Sequence, residues 1–234
     1  MKLERYTNPM TKTILITGAN RGLGFALAQR YESEGWRVLP TCRRPQDAHA
    51  LQELDLAPLS LDVTEESSID ALSQTLAGEP IDILFNNAGI FGPRGSEIGT
   101  LAPDAWLEVM KVNVVAPALI AQALVDNVAL SEDKLIAFMS SDLGSVTDTS
   151  GGEYIYRSSK AALNMVVATL AKDLAPREVR TVALSPGWVR TDMGGPDAGL
   201  SAEESAKGLK TVLDTLSPEQ SELFLRYDGA SVAW

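Results

Sequence analysis

The 234-residue sequence is poor in the residues that build disulfides and metal sites. It has one cysteine, Cys42, and one histidine, His49. An internal disulfide and a CxxC metal site are therefore excluded, and His-rich zinc or iron sites are disfavoured. A Ser-His-Asp triad would have to use His49, which lies in the polar stretch RRPQDAHALQEL, a pattern typical of a surface helix. The sequence predicts no metal.

Basic residues and long apolar runs are also scarce. Twenty Lys and Arg against 31 Asp and Glu give a net charge of −11, which disfavours a nucleic-acid partner. No apolar run approaches the roughly 18 residues that span a bilayer, and the start, MKLERYTNPMTKTILITG, lacks the apolar region of a secretory signal. We therefore expect a cytoplasmic protein with no membrane partner.

The composition does support a sizeable core, since 45% of the residues are hydrophobic. Short apolar or β-branched runs alternate with helical patterns, which predicts a parallel sheet covered by helices on both faces. The predicted strands span 12–17, 36–42, 57–61, 81–86, 134–140, 179–185 and 222–227. We expect a single α/β domain over residues 12–234, with a doubly wound parallel sheet of about seven strands, and a loose N-terminal extension over residues 1–11.

A glycine-rich turn, TGANRGLG (17–24), follows the first predicted strand. Gly18, Gly22 and Gly24 would allow a tight turn that leaves a helix N-terminus facing a ligand, and the pyrophosphate of a dinucleotide suits that position. The alternative is a tight β–α turn without a ligand. Three glycines within seven residues, directly after a strand, favour the ligand.

The stretch 154–174 has the apolar spacing of a helix, and its inward stripe extends back to Lys160 and Tyr156. Tyr154 lies about 200° round the helix from Tyr156, so Tyr156 is the partner of Lys160. A neighbouring ammonium favours the phenolate, and such a tyrosine can exchange a proton with a substrate oxygen. Taken alone, the pair is better explained as a core tyrosine beside a lysine that reaches solvent.

Two further polar residues accompany this pair. Ser141 ends the fifth predicted strand, where its hydroxyl could bind the same substrate oxygen or simply stabilise a turn. Asn113 lies within a predicted helix, four residues before Pro117, which has no N–H to bond the Asn113 carbonyl. That carbonyl could hold a water molecule that links Lys160 to solvent. The alternative is a proline-kinked helix without a chemical role.

These motifs, together with NNAG (86–89) and SPGWVRTDM (185–193), resemble the short-chain dehydrogenase/reductase family in order and spacing, over about residues 12–234. The details LGSVTDTSGGEYIYRSSKAALNM and YDGASVAW are most similar to the C-factor and sniffer-type carbonyl reductases. The resemblance implies a Rossmann fold and an NAD(P)(H)-dependent oxidoreductase. In its catalytic set, Tyr156 is the general acid and Ser141 holds the carbonyl. Lys160 lowers the tyrosine pKa and binds the nicotinamide ribose, and Asn113 holds a relay water.

The resemblance also implies a set of cofactor contacts at the carboxyl ends of the strands, including Tyr156 and Lys160. Asp62 would meet the adenine amino group, although it could equally be a turn or cap residue, and Pro186-Gly187 could be an ordinary turn. The remaining expected contacts are Gly18, Asn20, Arg21, Gly22, Leu23 and Gly24 in the glycine turn, Arg43, Val63, Asn86, Ala88 and Gly89, and Val189 and Thr191 on the nicotinamide side.

The end of the second predicted strand indicates the choice of cofactor. An NAD enzyme of this kind usually has an acid there to bind the ribose 2′-hydroxyl. Here LPTCRRPQD has no acid before Asp47, and Arg43, with Arg21 from the glycine turn, could instead bind a 2′-phosphate. We therefore predict NADP(H), with Arg43 as the main contact and Arg44 pointing away. The alternative is that these arginines are solvated surface charges.

The leading hypothesis is an NADPH-dependent reductase of small-molecule carbonyls. The apolar or aromatic walls of its substrate site, beside Ser141, would be Phe91, Leu143, Tyr154, Trp188 and Met193. A second hypothesis is a dinucleotide-binding regulatory or signalling protein with little turnover. A third is a sugar-nucleotide epimerase or dehydratase, for which the chain is short. The family resemblance also implies a homo-oligomer, a dimer or tetramer formed through the helices around 103–125 and 156–174.

Overall fold

The computed structural model describes residues 11–217 and 223–234. Nearly all of the predicted N-terminal extension and the first residue of the seventh predicted strand lie outside these ranges. Seven parallel strands form one sheet in the order β3-β2-β1-β4-β5-β6-β7. They are β1 (Thr13–Ile16), β2 (Arg37–Cys42), β3 (Leu59–Ser60), β4 (Ile83–Asn86), β5 (Leu135–Met139), β6 (Arg180–Ser185) and β7 (Phe224–Arg226).

Helices cover both faces of the sheet. They are α1 (Gly22–Ser33), α2 (His49–Glu53), α3 (Glu66–Thr75), α4 (Pro103–Met110), α5 (Ala116–Ala129), α6 (Tyr154–Leu174) and α7 (Ala202–Thr215). Helices α1 and α7 pack together over one hydrophobic core, and α3, α5 and α6 pack over the other. The central strands are buried along their whole length because both faces are covered, as their continuous apolar sequences predict. The predicted doubly wound parallel sheet is therefore confirmed.

The third strand is shorter than predicted. Only Leu59 and Ser60 pair with β2, opposite Thr41 and Cys42, although residues 57–61 have a strand-like sequence. Pro58 has no N–H to donate to the ladder, and β3 is an edge strand with one neighbour. The pairing therefore begins only at Leu59.

The helix that contains Asn113 adapts to Pro117 with a π-helical turn over Lys111–Val115, which joins α4 to α5. The Ala116 N–H bonds the Lys111 carbonyl, five residues back. The wider turn accommodates the local break that the missing proline N–H imposes. By length and composition alone, the whole segment Pro103–Ala129 is long and apolar enough to cross a membrane. The expectation that no part of the sequence is long and apolar enough overlooked this segment. More than half of its most apolar window is buried in the fold, as in a core helix.

From β1 the chain adds strands in one direction and then in the other. β2 and β3 lie on one side of β1, whereas β4 to β7 lie on its other side, so the strand order reverses between β1 and β4. The loops that leave the carboxyl ends of these two strands run in opposite directions and open a crevice. The glycine turn follows β1 and the NNAG segment follows β4. The fold therefore brings the two motifs to one place.

Candidate active site

The glycine turn is fixed to the NNAG segment by hydrogen bonds around Thr17. The backbone N–H groups of Asn87 and Ala88 both donate to Thr17 Oγ1, each at 3.0 Å. The Asn87 side chain donates to the Thr17 carbonyl at 2.9 Å and to the Gly18 carbonyl at 3.2 Å. The sequence analysis missed Thr17 and Asn87. Their positions at the end of β1 and inside NNAG could have pointed to a role in the site. The hydrogen bonds between them could not be predicted from the sequence.

The first turn of α1 faces the crevice. Gly24 must be a glycine, because a Cβ atom there would lie 2.5 Å from the Gly18 carbonyl oxygen and 2.5 Å from Asn87 Nδ2. Among the residues that the structure describes, no side chain caps the N-terminus of α1. Its free N–H groups and the helix dipole therefore form a site for an anion such as a pyrophosphate.

Asn86, at the end of β4, carries a buried amide without partners. Its side chain is almost fully buried, and within the described residues neither its oxygen nor its nitrogen forms a hydrogen bond. It lines a small pocket together with Thr17, Val63, Ala88, Val112, Ala116, Pro117 and Ile120. Buried amides are normally paired, so an unpaired amide that faces a pocket suits a polar ligand.

The arginines at the ends of β1 and β2 differ in their partners. Arg44 pairs with Asp47 at 3.2 Å and Arg21 pairs with Asp192 at 2.6 Å, both on the surface. Arg43 is exposed and makes no hydrogen bond or ion pair within residues 11–217 and 223–234. The free Arg43 and the engaged Arg44 are consistent with the prediction that Arg43 is the main contact for a 2′-phosphate. Arg21 would have to share its charge with Asp192.

Asp62, after β3, forms a local turn with Thr64, whose N–H and hydroxyl donate to Asp62 Oδ1 at 3.0 and 2.8 Å. Burial raises the pKa of Asp62, but the Thr64 hydrogen bonds and the charges of Arg43 and Lys111 outweigh this effect and hold the pKa below its usual value. Asp62 is thus an ionised acceptor close to Arg43. It has the turn role given above as the alternative, and it is only partly buried.

The two serines after β5 point to different partners. Ser141 lies close enough to Tyr156 for its hydroxyl to act on the pKa of the phenol, whereas Ser140 is buried and donates to Asn164 Oδ1 at 2.6 Å. The Leu143 N–H donates to Ser141 Oγ at 3.2 Å and fixes the turn that follows. The structure therefore brings Ser141, and not Ser140, next to the tyrosine.

Tyr156 and Lys160 are both buried on α6, as the helical stripe predicts. Lys160 Nζ donates to the Met139 carbonyl at 2.7 Å and lies 5.6 Å from the Tyr156 ring centroid. Burial raises the pKa of Tyr156 to about 12, although the Ser141 hydrogen bond acts in the opposite direction. Burial also lowers the pKa of Lys160 to about 8. The expected lowering of the tyrosine pKa by the ammonium is thus absent from this arrangement, because burial dominates.

Asn113 uses its side chain to hold the segment after NNAG. Its Oδ1 accepts from the Ile90 N–H at 2.9 Å, and its Nδ2 donates to the Ile90 carbonyl at 2.8 Å and to Ser159 Oγ at 3.0 Å. Ser159, which the sequence analysis missed, donates in turn to the Tyr156 carbonyl at 2.7 Å. Asn113 therefore joins the π-helical turn, the β4 loop and α6 at one point, close to Gly89.

The segment after β6 closes the other side of the crevice. The Pro186 carbonyl accepts from Ser205 Oγ at 2.7 Å, and Thr191 Oγ1 accepts from the Gly194 N–H at 3.1 Å. Thr191 approaches the glycine turn at Gly22. The expected contacts Gly187 and Val189 lie in the same segment, so the structure brings both sets of predicted cofactor residues to one crevice.

The expected walls of the substrate site surround Tyr156 unevenly. The Phe91 ring stacks on the Tyr156 ring, with centroids 4.3 Å apart and planes 20° from parallel. Leu143 is half-buried beside Ser141, whereas Tyr154, Trp188 and Met193 are exposed at the rim. Within the described ranges, no cluster of three His, Cys, Asp or Glu side chains could hold a metal ion.

Comparisons with known proteins agree with this geometry. The family model described as short chain dehydrogenase matches residues 12–198. The chain is 39% identical over 165 residues to the C-signal protein of Myxococcus xanthus, which covers 70% of this chain and 99% of that protein.

Two solved structures are also similar to the chain. One is a short-chain dehydrogenase/reductase from Burkholderia multivorans with bound NADP, with 38% identity, a TM-score of 0.89, and coverage of 96% of this chain and 100% of that one. The other is the carbonyl reductase Sniffer of D. melanogaster, with 33% identity, a TM-score of 0.88 and the same two coverages. The similarity to C-factor and sniffer-type proteins predicted from the sequence is therefore confirmed.

Proposed function

Because the chain belongs to the short-chain dehydrogenase family of oxidoreductases, we propose that it is an NADPH-dependent reductase that converts a ketone or aldehyde into an alcohol. The observation that carries this proposal is that Ser141 lies beside the buried Tyr156 at the edge of the crevice, with the buried Lys160 next to the tyrosine ring. The carbonyl reductase activity named for the Sniffer structure supports the choice of substrate class.

In this proposal Tyr156 is the general acid. Its raised pKa of about 12 keeps the phenol protonated at neutral pH, which is the form that donates a proton to a carbonyl oxygen. Ser141 donates a second hydrogen bond to that oxygen and stabilises the negative charge that develops on it. Lys160 supplies a positive charge next to the tyrosine, and Asn113 keeps the β4 loop and α6 in register.

The same proposal assigns NADP(H) to the crevice. The cofactor, when bound, supplies the hydride that adds to the carbonyl carbon and is itself oxidised, and the proton on the product oxygen comes from Tyr156. The uncapped N-terminus of α1 would hold the pyrophosphate, Asn86 and Asp62 the adenosine, and Arg43 the 2′-phosphate. Pro186, Gly187, Val189 and Thr191 would hold the nicotinamide carboxamide. The NADP in the Burkholderia multivorans structure supports this assignment.

A dinucleotide-binding signalling protein is the second candidate, and the similarity to the C-signal protein favours it. A protein that only binds a dinucleotide has no need of a proton donor, whereas this chain carries the complete Asn-Ser-Tyr-Lys set. We therefore rank the enzyme first.

The experiment that separates the two candidates is a screen of aldehydes and ketones with NADPH and with NADH, monitored by loss of reduced-nicotinamide absorbance. The enzyme proposal expects turnover of at least one carbonyl class with NADPH. Tight NADPH binding without turnover of any carbonyl would support the signalling candidate instead.

We further propose that the chain is a cytoplasmic homodimer or tetramer. Leu107 and Val115 on the α4–α5 segment and Met165 on α6 are exposed apolar side chains, and these are the two helices expected at the interface. Light scattering of the wild type and of Met165→Glu tests this. A wild-type monomer at micromolar concentration would contradict it.

A further inference from the structure

The loop that follows NNAG places an arginine at the mouth of the site. Phe91, on the stacked face of Tyr156, is followed by Gly92, Pro93 and Arg94. Gly92 has φ of +79°, and a Cβ there would lie 2.6 Å from Val109 Cγ2, so the chain can turn this sharply only at a glycine. Pro93 then fixes the next φ angle. This rigid turn brings the Arg94 guanidinium back over the Phe91 ring, with Cζ 4.6 Å from its centroid.

The loop is also fixed at its far side. The Ser96 carbonyl and hydroxyl accept from the Tyr154 and Ile155 N–H groups at 3.2 and 3.4 Å, at the first turn of α6. The Gly95 N–H donates to Glu153 Oε1 at 3.0 Å. These bonds tie the loop to the N-terminus of the helix that carries Tyr156. Arg94 is therefore exposed but held at a defined distance from the proposed proton donor.

The charge of Arg94 is not neutralised by a nearby acid. Its guanidinium donates to the Met193 carbonyl, on the segment after β6, and forms no ion pair with a carboxylate of the described residues. By contrast, Arg21, Arg190 and Arg226 all have acidic partners. In a chain of net charge −11, Arg94 is thus an exposed cation without an ion-pair partner in the described part of the chain, on the loop beside Phe91 and Tyr156, as Arg43 is after β2. A guanidinium has five N–H donors, so the Met193 bond leaves donors for a second acceptor.

We propose that Arg94 binds an anionic group of the substrate, so that the preferred substrates are carbonyl compounds carrying a carboxylate. This rests on the proposed function and adds the substrate class to it. In this arrangement the reacting carbonyl lies at Tyr156 and Ser141, and the body of the substrate lies along Phe91. The carboxylate of the substrate then reaches the guanidinium of Arg94. The planar guanidinium matches a carboxylate with two parallel hydrogen bonds, which a rim lysine would not provide.

The test compares 4-formylbenzoate with its methyl ester, two aldehydes that differ in the charge far from the carbonyl. Wild type, Arg94→Gln and Arg94→Lys are assayed with NADPH, with Lys172→Gln as the control, since Lys172 is an exposed cation near the far end of α6. We expect the wild type to prefer the acid by at least about tenfold in kcat/KM, mainly through KM, because charge-assisted hydrogen bonds contribute that much to binding. Arg94→Gln should lose this preference, Arg94→Lys should keep part of it, and Lys172→Gln should keep all of it.

The salt dependence provides an independent readout. The KM for the acid should rise with ionic strength in the wild type, and this rise should be smaller in Arg94→Gln, whereas the KM for the ester should hardly change. Equal kcat/KM for acid and ester in the wild type, or a preference that survives in Arg94→Gln, would overturn the inference while leaving the reductase proposal intact. Absence of turnover with both aldehydes, in a protein that reduces another carbonyl of the screen described above, would overturn the inference alone, whereas absence of turnover with every carbonyl of that screen would overturn both proposals.

Discussion

The proposed catalytic side of the crevice and its proposed dinucleotide side differ in how far the protein satisfies its own polar groups. On the catalytic side, Asn113 makes three hydrogen bonds and Lys160 bonds the Met139 carbonyl. On the dinucleotide side, the Asn86 amide and the Arg43 guanidinium have no hydrogen-bonding partner among the described residues, and the N-terminus of α1 is uncapped.

The difference indicates a division of labour between protein and ligand. Groups that must be positioned before the reaction are held by the protein, which removes the need to reorganise them at the moment of proton transfer. Groups that bind the dinucleotide keep their hydrogen-bonding capacity for it. Removing a group on the first side should therefore affect turnover or stability, and removing one on the second side should affect binding.

The largest expected effect is at the proton donor. Tyr156→Phe should lower kcat by at least about 100-fold, because the ring is kept and only the proton is lost. The NADPH dissociation constant should stay within about threefold of the wild-type value, because the phenol ring that packs beside the site is unchanged. Steady-state kinetics and a fluorescence titration measure the two quantities, with Tyr154→Phe as the matched control. Turnover close to wild type in Tyr156→Phe would remove the basis of the catalytic assignment.

The next effect concerns the dinucleotide side. Arg43→Ala should weaken NADPH binding by about 10- to 150-fold, the range of one hydrogen bond to a charged group, and should change NADH binding little. Arg44→Ala is the control, because Arg44 is engaged with Asp47. The measurement is kcat/KM for both cofactors in the three proteins. A wild type that prefers NADH would contradict the assignment of Arg43.

Two asparagines test the contrast directly. Asn113→Leu leaves both backbone groups of Ile90 without their partner and should lower the free energy of unfolding by about 1–3 kcal/mol or more. Asn86→Leu removes an amide that has no partner in the described fold, and should leave the free energy of unfolding of the cofactor-free protein unchanged or higher. Its gain in stability on adding NADPH should be smaller than in the wild type. Urea unfolding of the wild type and both variants, with and without NADPH, provides these values, and a large loss of stability in cofactor-free Asn86→Leu would break the comparison.

The smallest effect is a pH dependence. Burial lowers the pKa of Lys160 to about 8 and raises that of Tyr156 to about 12, so near pH 8 the lysine loses its charge while the tyrosine keeps its proton. If the positive charge assists reduction, kcat/KM should be level below pH 8 and fall above it, at most tenfold per pH unit. A pH profile of carbonyl reduction measures this. A profile that stays level to pH 10 would show that the Lys160 charge is not used.

The sequence predicted the elements but not the links between them. The succession of strands and helices along the chain, the length of α6 and the inward positions of Tyr156 and Lys160 follow from apolar periodicity, which a sequence displays directly. The Thr17–Asn87 cross-links, the Asn113–Ile90 clamp and the Arg21–Asp192 pair join residues from 23 to 171 positions apart. Such pairings depend on side-chain directions in the folded chain. The raised pKa of Tyr156 was missed for the same reason, because burial depends on everything packed around the ring.

The burial of Lys160 has a consequence for stability as well as for chemistry. Its pKa is lower in the folded chain than the usual 10.5, so the unfolded chain holds this proton more tightly. The charged lysine therefore lowers stability by on the order of 3 kcal/mol below pH 8, and this penalty is relieved as the pH rises toward 10.5. Selection for stability alone would replace Lys160 with an uncharged residue such as methionine. In the proposed function, the lysine at this position is a trade-off in which part of the folding free energy is given up for activity.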